Sequence, residues 1–223
     1  LIELPEAETS VEALMREMLV CFALLCTASS LPAQSKNDLG LSIGAVLQPS
    51  PGATATQTTS QLTQVSFGSG LTFEANYARR LVSASALALE LEAPLLAVPS
   101  ESVASQPAPD VPRNFASLFI VPSIRIRLLP KSRLSPWLSL GGGYARYDES
   151  TSLQDNTANP FPRGTNTGAL QYGIGADYRI GTIVLPISLR VEARNLYAGA
   201  PSLNIQNTSH NHPFLTGGFV LHF

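Results

Sequence analysis

Apolar and polar residues alternate along most of this chain with a period of two, the spacing that sends successive side chains to opposite faces of a strand. In 39–48, Leu39, Leu41, Ile43, Ala45 and Leu47 share one face, and Gly40, Ser42, Gly44, Val46 and Gln48 share the other. In 65–78, Val65, Phe67, Leu71, Phe73, Ala75 and Tyr77 oppose Gly68, Gly70, Thr72, Glu74 and Asn76. Segment 84–93 sets Leu87, Leu89, Leu91 and Ala93 against Glu90 and Glu92, and 115–128 sets Leu118, Ile120, Ile124, Ile126 and Leu128 against Ser123, Arg125 and Arg127. Segments 137–147 (Leu138, Leu140, Tyr144), 168–179 (Leu170, Tyr172, Ile174, Ala176, Tyr178) and 184–197 (Ile187, Leu189, Val191, Ala193) follow the same rule. The last, 214–223, carries Leu215, Phe219, Leu221 and Phe223. Eight strands are predicted, and no long helix.

The connections, 49–64, 79–83, 94–114, 129–136, 148–167, 180–183 and 198–213, alternate between long and short. Eight alternating segments joined in this way predict an all-β fold, an eight-stranded antiparallel transmembrane β-barrel with short turns on the periplasmic side and long loops outside. An even strand number puts both chain ends in the periplasm. Eleven of the 17 prolines fall in the four long connections, where no ladder needs their missing donor. Pro122 is the exception: it interrupts the fourth segment, and a closed barrel has no free edge to hold it. A bulge or a later strand start is expected there.

The polar face distinguishes inside from outside. It carries Glu74, Glu90, Glu92, Asp177 and Glu192 against Arg125, Arg127, Arg146, Arg179, Arg190 and Arg194. Opposite signs meet across hairpins, as in Asp177 and Arg190. An eight-stranded barrel is just wide enough for its own side chains, so a balanced ionic network is expected to fill the lumen and leave no aqueous pore. Aromatic girdles are expected from Tyr77, Trp137, Tyr178 and Phe223 at the periplasmic ends, and from Phe67, Tyr144, Tyr172 and Phe214 at the outer ends.

Composition fits a chain whose outside need not be polar. Of 223 residues, 44% are hydrophobic and only 13% charged, with a formal net charge of −2, which excludes a basic nucleic-acid binder. The N-terminal part reads as a leader. Met15-Arg-Glu precedes the apolar stretch Met18 to Ala28, and cleavage is expected after Ala33. Residues 1–14 then read as an over-extended start, 15–33 as a signal peptide, and 34–223 as the barrel. Both cysteines, Cys21 and Cys26, fall in the leader, so the mature part has no disulfide and no thiolate chemistry. Without residues 1–33 the chain has 13 Lys and Arg against 11 Asp and Glu.

Candidate chemistry is sparse. Gly40-Leu-Ser42-Ile-Gly44 matches the nucleophile-elbow pattern, but that motif needs a strand–turn–helix corner, and here it lies inside an alternating strand. Gly173-Ile-Gly175 lacks the third glycine of a dinucleotide site and reads as small lumen positions, and Gly141 to Gly143 read as making room for bulky neighbours or a bend in the strand. His210 and His212 have no obvious third metal ligand nearby. Ser209 and His210 would suit a lipid A deacylase, yet adjacent strand residues point to opposite faces. No catalytic, cofactor or metal residue is therefore assigned.

The C-terminal run from Thr216 to Phe223 (TGGFVLHF) resembles the assembly signal of bacterial outer-membrane proteins. The segments PWLSLGGGYARY (136–147), LQYGIGADYRI (170–180) and LRVEARNLY (189–197) resemble the small outer-membrane β-barrel family that includes OmpA, OmpX and OmpW-type proteins. The resemblance implies a non-enzymatic integral protein of the bacterial outer membrane. Its implied role is envelope integrity or adhesion through the loops 94–114 and 148–167. Its implied partners are outer-membrane lipids and lipopolysaccharide, the barrel-assembly machinery at the segment ending in Phe223, and an extracellular ligand at the long loops. A lipid A-modifying enzyme and a conduit for small apolar solutes are the alternatives.

Overall fold

The computed structural model describes residues 36–47, 53–56, 62–106, 111–160, 162–180, 186–199 and 210–223. The expected leader, both cysteines and Ser209 lie outside the described residues. Eleven strands are formed: β1 (Asn37–Val46), β2 (Ala53–Thr56), β3 (Leu62–Phe67), β4 (Gly70–Ser83), β5 (Leu87–Gln106), β6 (Asn114–Ile120), β7 (Ser123–Leu128), β8 (Leu134–Glu149), β9 (Gly164–Arg179), β10 (Ile187–Ala198) and β11 (His210–His222).

Every pairing is antiparallel, and the ladder returns to its start. β1 pairs with β4, β4 with β5, β5 with both β6 and β7, these with β8, and β8 with β9. β9 pairs with β10, β10 with β11, and β11 with β1. With β6 and β7 as two halves of one strand, the result is a closed eight-stranded antiparallel barrel, as the alternation predicted. Closure leaves none of these strands an edge. The short hairpin of β2 and β3 extends the upper part of β5 through Gln64↔Gln106 to Phe67↔Val103. "Lower" here denotes the rim that carries Asn37 and His222, and "upper" the opposite rim.

Three local expectations change. Pro122 makes neither a bulge nor a late start: Leu95↔Ile120 and Glu92↔Ser123 stay in one register, as do Ile120↔Tyr144 and Ser123↔Gly141. The strand is only interrupted at Val121 and Pro122, where Val121 N donates to Pro94 O at 3.3 Å and Gly142 N donates to Pro122 O at 3.2 Å. The bulges lie elsewhere, at Arg80/Val82 and Val98/Glu101. Segment 94–114 is not one long loop, because β5 runs on to Gln106 and β6 begins at Asn114. The first lower turn falls at 84–86, since β4 continues to Ser83.

Burial inverts the pattern of a water-soluble protein. Along β10 the sequence ISLRVEARNLYA buries Ser188, Arg190, Glu192 and Arg194 and exposes Leu189, Val191 and Ala193. Leu140 is 69% exposed, Leu170 and Val191 63%, and Phe219 58%. A large apolar side chain left in water forgoes about 1.5–3 kcal/mol of burial. A continuous outer band of Leu, Ile, Val and Phe is therefore built for hydrocarbon surroundings.

Candidate functional site: the lumen

Side chains from every strand of the ring meet inside it, in two layers. The lower and middle lumen is ionic. Arg127 bonds Asp38 and Asp177 at 2.6 Å each and Glu90 at 2.8 Å. Arg125 meets Glu90 at 2.7 Å, Glu92 at 3.3 Å and Asp38 at 3.4 Å. Arg190 grips Asp177 with two bonds, 2.7 and 2.9 Å long. Arg194 reaches Glu92 and Glu192 at 2.9 Å and Glu74 at 3.2 Å. All ten of these residues are buried, so the charges lose their water and are held by pairing and by neutral donors such as Asn76, whose Nδ2 donates to Glu92 at 3.1 Å.

Trp137 stands in the middle of this layer, fully buried. The guanidinium carbons of Arg194, Arg125 and Arg190 lie 5.0, 5.3 and 5.4 Å from its ring centre, close enough for cation–π attraction. Gly175 faces the ring, and a Cβ there would come within 2.7 Å of a ring carbon and 2.9 Å of the Glu192 Cβ. The glycine is what gives the indole room.

The upper lumen is lined mainly by aromatic and aliphatic side chains, with Glu101 and Glu149 also buried at the level of Phe115, and this layer was not anticipated. Phe115, Phe119, Tyr147, Phe214, Leu96, Val98 and Leu196 are buried together there. Phe119 meets Tyr147 edge-on at 5.8 Å and Phe214 at 5.6 Å. His212 is enclosed by these rings, and its Nε2 lies 3.0 Å from the Tyr147 hydroxyl.

These layers correct the expected girdles and charge balance. Trp137 and Phe214 are lumen residues, not girdle residues, whereas Tyr144, Tyr172 and Tyr178 do face outward. The side chain of Phe67 lies outside the described residues. Arg146 is outside the lumen, half exposed and paired with Asp148 at 2.9 Å, and Arg179 is exposed, with Nη2 donating to Pro130 O at 3.3 Å. Asp38, which the expected set omitted, points inward. The lower and middle lumen thus sets six buried carboxylates (Asp38, Glu74, Glu90, Glu92, Asp177, Glu192) against four buried arginines, with Arg80 reaching Glu90 at 3.4 Å from the rim.

The motif serine, Ser42, is buried on β1, 3.5 Å from Glu192 Oε1, with no helix following it. It is a lumen packing position, as its strand context implied. The side chain of His210 lies outside the described residues. A Ser–His–Asp chain does occur, in residues that were not singled out: Ser188 Oγ lies 2.7 Å from His222 Nε2, and His222 Nδ1 lies 2.7 Å from Asp38 Oδ1. Ser188 is only 2% exposed, and its strand is paired on both sides. The local backbone N–H groups are thus committed to ladders rather than converging on an oxyanion. The chain ties β10, β11 and β1 together at the lower rim.

No protein-family model matches this sequence, and no curated protein matches it. Among solved structures, the chain is similar to the Neisserial surface protein NspA, with 14% identity and a TM-score of 0.50, over 86% of this chain and all of the other. It is equally similar to the outer membrane protein OprG from Pseudomonas aeruginosa, with 16% identity and a TM-score of 0.51, over 86% of this chain and 98% of the other. The fold is that of small outer-membrane barrels.

Proposed function

We propose that this chain is an integral protein of the bacterial outer membrane with a structural or surface-interacting role and a lumen closed to solutes. The observation that carries this reading is the filling of the lumen: an ionic layer below and a packed aromatic layer above. A conduit needs a path between them, whereas side chains that pack to this degree exclude even water-sized solutes. The outward band of Leu, Ile, Val and Phe supports the membrane setting.

The orientation proposed has the lower rim in the periplasm and the long connections outside. A membrane-spanning strand needs about 9–11 residues, and β8 and β9 have 16 each. Their upper ends thus project past the hydrocarbon. There β8 presents the polar pair Arg146–Asp148, and Arg113, just before β6, bonds Asn156 in the connection after β8, a surface suited to contact with lipopolysaccharide headgroups or an extracellular ligand. The segment Thr216–Phe223 is the proposed handle for the barrel-assembly machinery. An enzymatic role draws no support from the buried Ser188.

Reconstitution in a planar bilayer tests the closed lumen. Stable incorporation without discrete conductance steps is expected, and regular ion-conducting events or uptake of an apolar dye into liposomes would overturn the reading. Membrane integration is tested on a gel, where the unheated protein is expected to migrate differently from the boiled one.

A further inference from the structure

Charge is distributed unevenly between the two ends of the barrel. Below the lumen network stand Lys36, Arg79, Arg80, Lys131, Arg133 and Arg179, all but Arg80 exposed, and among the described residues no exposed Asp or Glu shares that end. The lowest acids, Asp38, Glu90 and Asp177, are buried in the lumen and bonded to Arg127. At the upper end, exposed Arg113, Arg146 and Arg163 are mixed with exposed Asp148 and Asp155. Only the lower end carries a single sign.

These cations form two groups. Arg80 N donates to Lys36 O at 2.7 Å and Arg79 pairs with Asn37, which gathers the first group at the seam of β1 and β4. Arg179 N donates to Arg133 O at 2.8 Å and Lys131 lies in the same turn, which gathers the second at the seam of β8 and β9. The two seams are four strands apart in the ring of eight, on opposite sides of the barrel. Arg80 is partly engaged by Glu90 at 3.4 Å, and Arg179 by Pro130 O at 3.3 Å. No ion pair among the described residues involves Lys36, Arg79, Lys131 or Arg133. A second feature lies at the same depth. Leu81 and Val82 stand 55% and 63% exposed beside the first group, and Leu129, Leu134 and Ile180 stand 53%, 50% and 50% exposed beside the second. Strand residues advance only about 3.3 Å each, so the cations and the end of the apolar band fall within one thin layer. A soluble polyanion matches the cations alone. A molecule with both a phosphate and acyl chains matches the cations and the apolar side chains together.

We propose that the lower rim binds anionic phospholipid of the inner leaflet, with a headgroup phosphate held at each of the two opposed cation groups. The leaflet rests on the orientation proposed above, whereas the lipid preference rests on the two groups themselves. Phosphates held at opposite points of the ring fix the depth of the barrel and oppose its tilting.

Electron spin resonance in vesicles of phosphatidylcholine with a minority of phosphatidylglycerol tests this, because it separates lipid immobilised on the protein from bulk lipid. Spin-labelled phosphatidylglycerol is expected to be enriched on the wild type about fivefold over spin-labelled phosphatidylcholine, the equivalent of one cation–phosphate contact at the surface. Added salt should weaken the enrichment. The variant combining Lys36→Gln, Arg79→Gln, Lys131→Gln and Arg133→Gln is expected to lose it while immobilising as much lipid in total. Arg80 and Arg179 stay in place because their guanidinium groups bond the barrel itself. Either pair of substitutions alone should remove part of the enrichment, and Arg163→Gln at the upper end should leave it intact. Equal binding of the two lipids by the wild type, or a preference that survives the fourfold variant, would overturn the proposal. A wild type without lipid preference that retains soluble peptidoglycan strands would assign the cations to a glycan and overturn it equally. Failure to immobilise either lipid would bring down the membrane reading and the proposal together. Vesicles carry both lipids in each leaflet, so the preference is read whichever way the barrel inserts. The leaflet is read on intact cells: Ser132→Cys, in the turn with Lys131, is expected to resist a bulky membrane-impermeant maleimide, and labelling there would overturn the inner-leaflet assignment.

Discussion

Asp177 receives both Nε and Nη2 of Arg190, at 2.7 and 2.9 Å, from the neighbouring strand, and takes a third bond from Arg127 at 2.6 Å. This carboxylate is thus the joint on which two buried arginines depend. Removing one partner of a buried pair strands the other and costs about 3–5 kcal/mol. Asp177→Asn is expected to lose at least that much, and the loss should shrink when Arg190→Met is added to it. Urea unfolding in detergent micelles measures both variants. Trp137, the single tryptophan, sits in the same layer and reports the transition.

The indole itself depends on Gly175. A side chain at that position would collide with a ring that three arginines already surround. Gly175→Val is expected to cost roughly 1–3 kcal/mol, the usual range for overpacking, and to red-shift the Trp137 emission as water enters. Trp137→Phe in the same chain should recover part of the loss, since the smaller ring frees space. If Gly175→Val alone leaves stability and emission unchanged, the ring does not occupy the lumen.

The alternation made much of this legible. Leu138 and Leu140 lie outward, so Trp137 between Pro136 and Leu138 has the inward parity. Phe214 is likewise set by Leu215 and Phe219, and Arg146 by Tyr144. An aromatic near a strand end suits both a girdle and a lumen by chemistry, and only parity separates the two. The Ser188–His222–Asp38 chain was not legible in the same way. Its members are 34 and 184 positions apart, and their meeting needs the ring to close first between β1 and β11. The uninterrupted register across Pro122 was hidden for a similar reason: Pro94 and Gly142 carry the bonds around the gap, and both belong to other strands.

Phe119 occupies the centre of the upper layer, touching Tyr147, His212 and Phe214. Truncation there removes one ring and leaves a void among the others. Phe119→Ala is expected to cost about 3–5 kcal/mol while leaving the ionic layer intact. Single-channel recording then separates the two layers. The variant should stay silent if the ionic layer alone blocks the lumen, and brief openings would assign the seal to the aromatic layer.

Leu140 tests the outer surface rather than the inner one. Among the described residues it is the most exposed large apolar side chain, at 69%, and it lies midway along β8, far from either rim. In water a lysine at such a position is harmless or solubilising. On a lipid-facing strand it costs about 2–4 kcal/mol near the bilayer midplane and about 0–1 near the interfaces. Leu140→Lys is therefore expected to destabilise the protein in bilayers by an amount near the upper figure. Leu134→Lys, at the lower end of the same strand, should cost at most about 1 kcal/mol because its ammonium reaches the interface. Equilibrium unfolding in lipid vesicles compares them. Equal and negligible effects at both positions would mean that this face never meets hydrocarbon, and the membrane reading would fall with it.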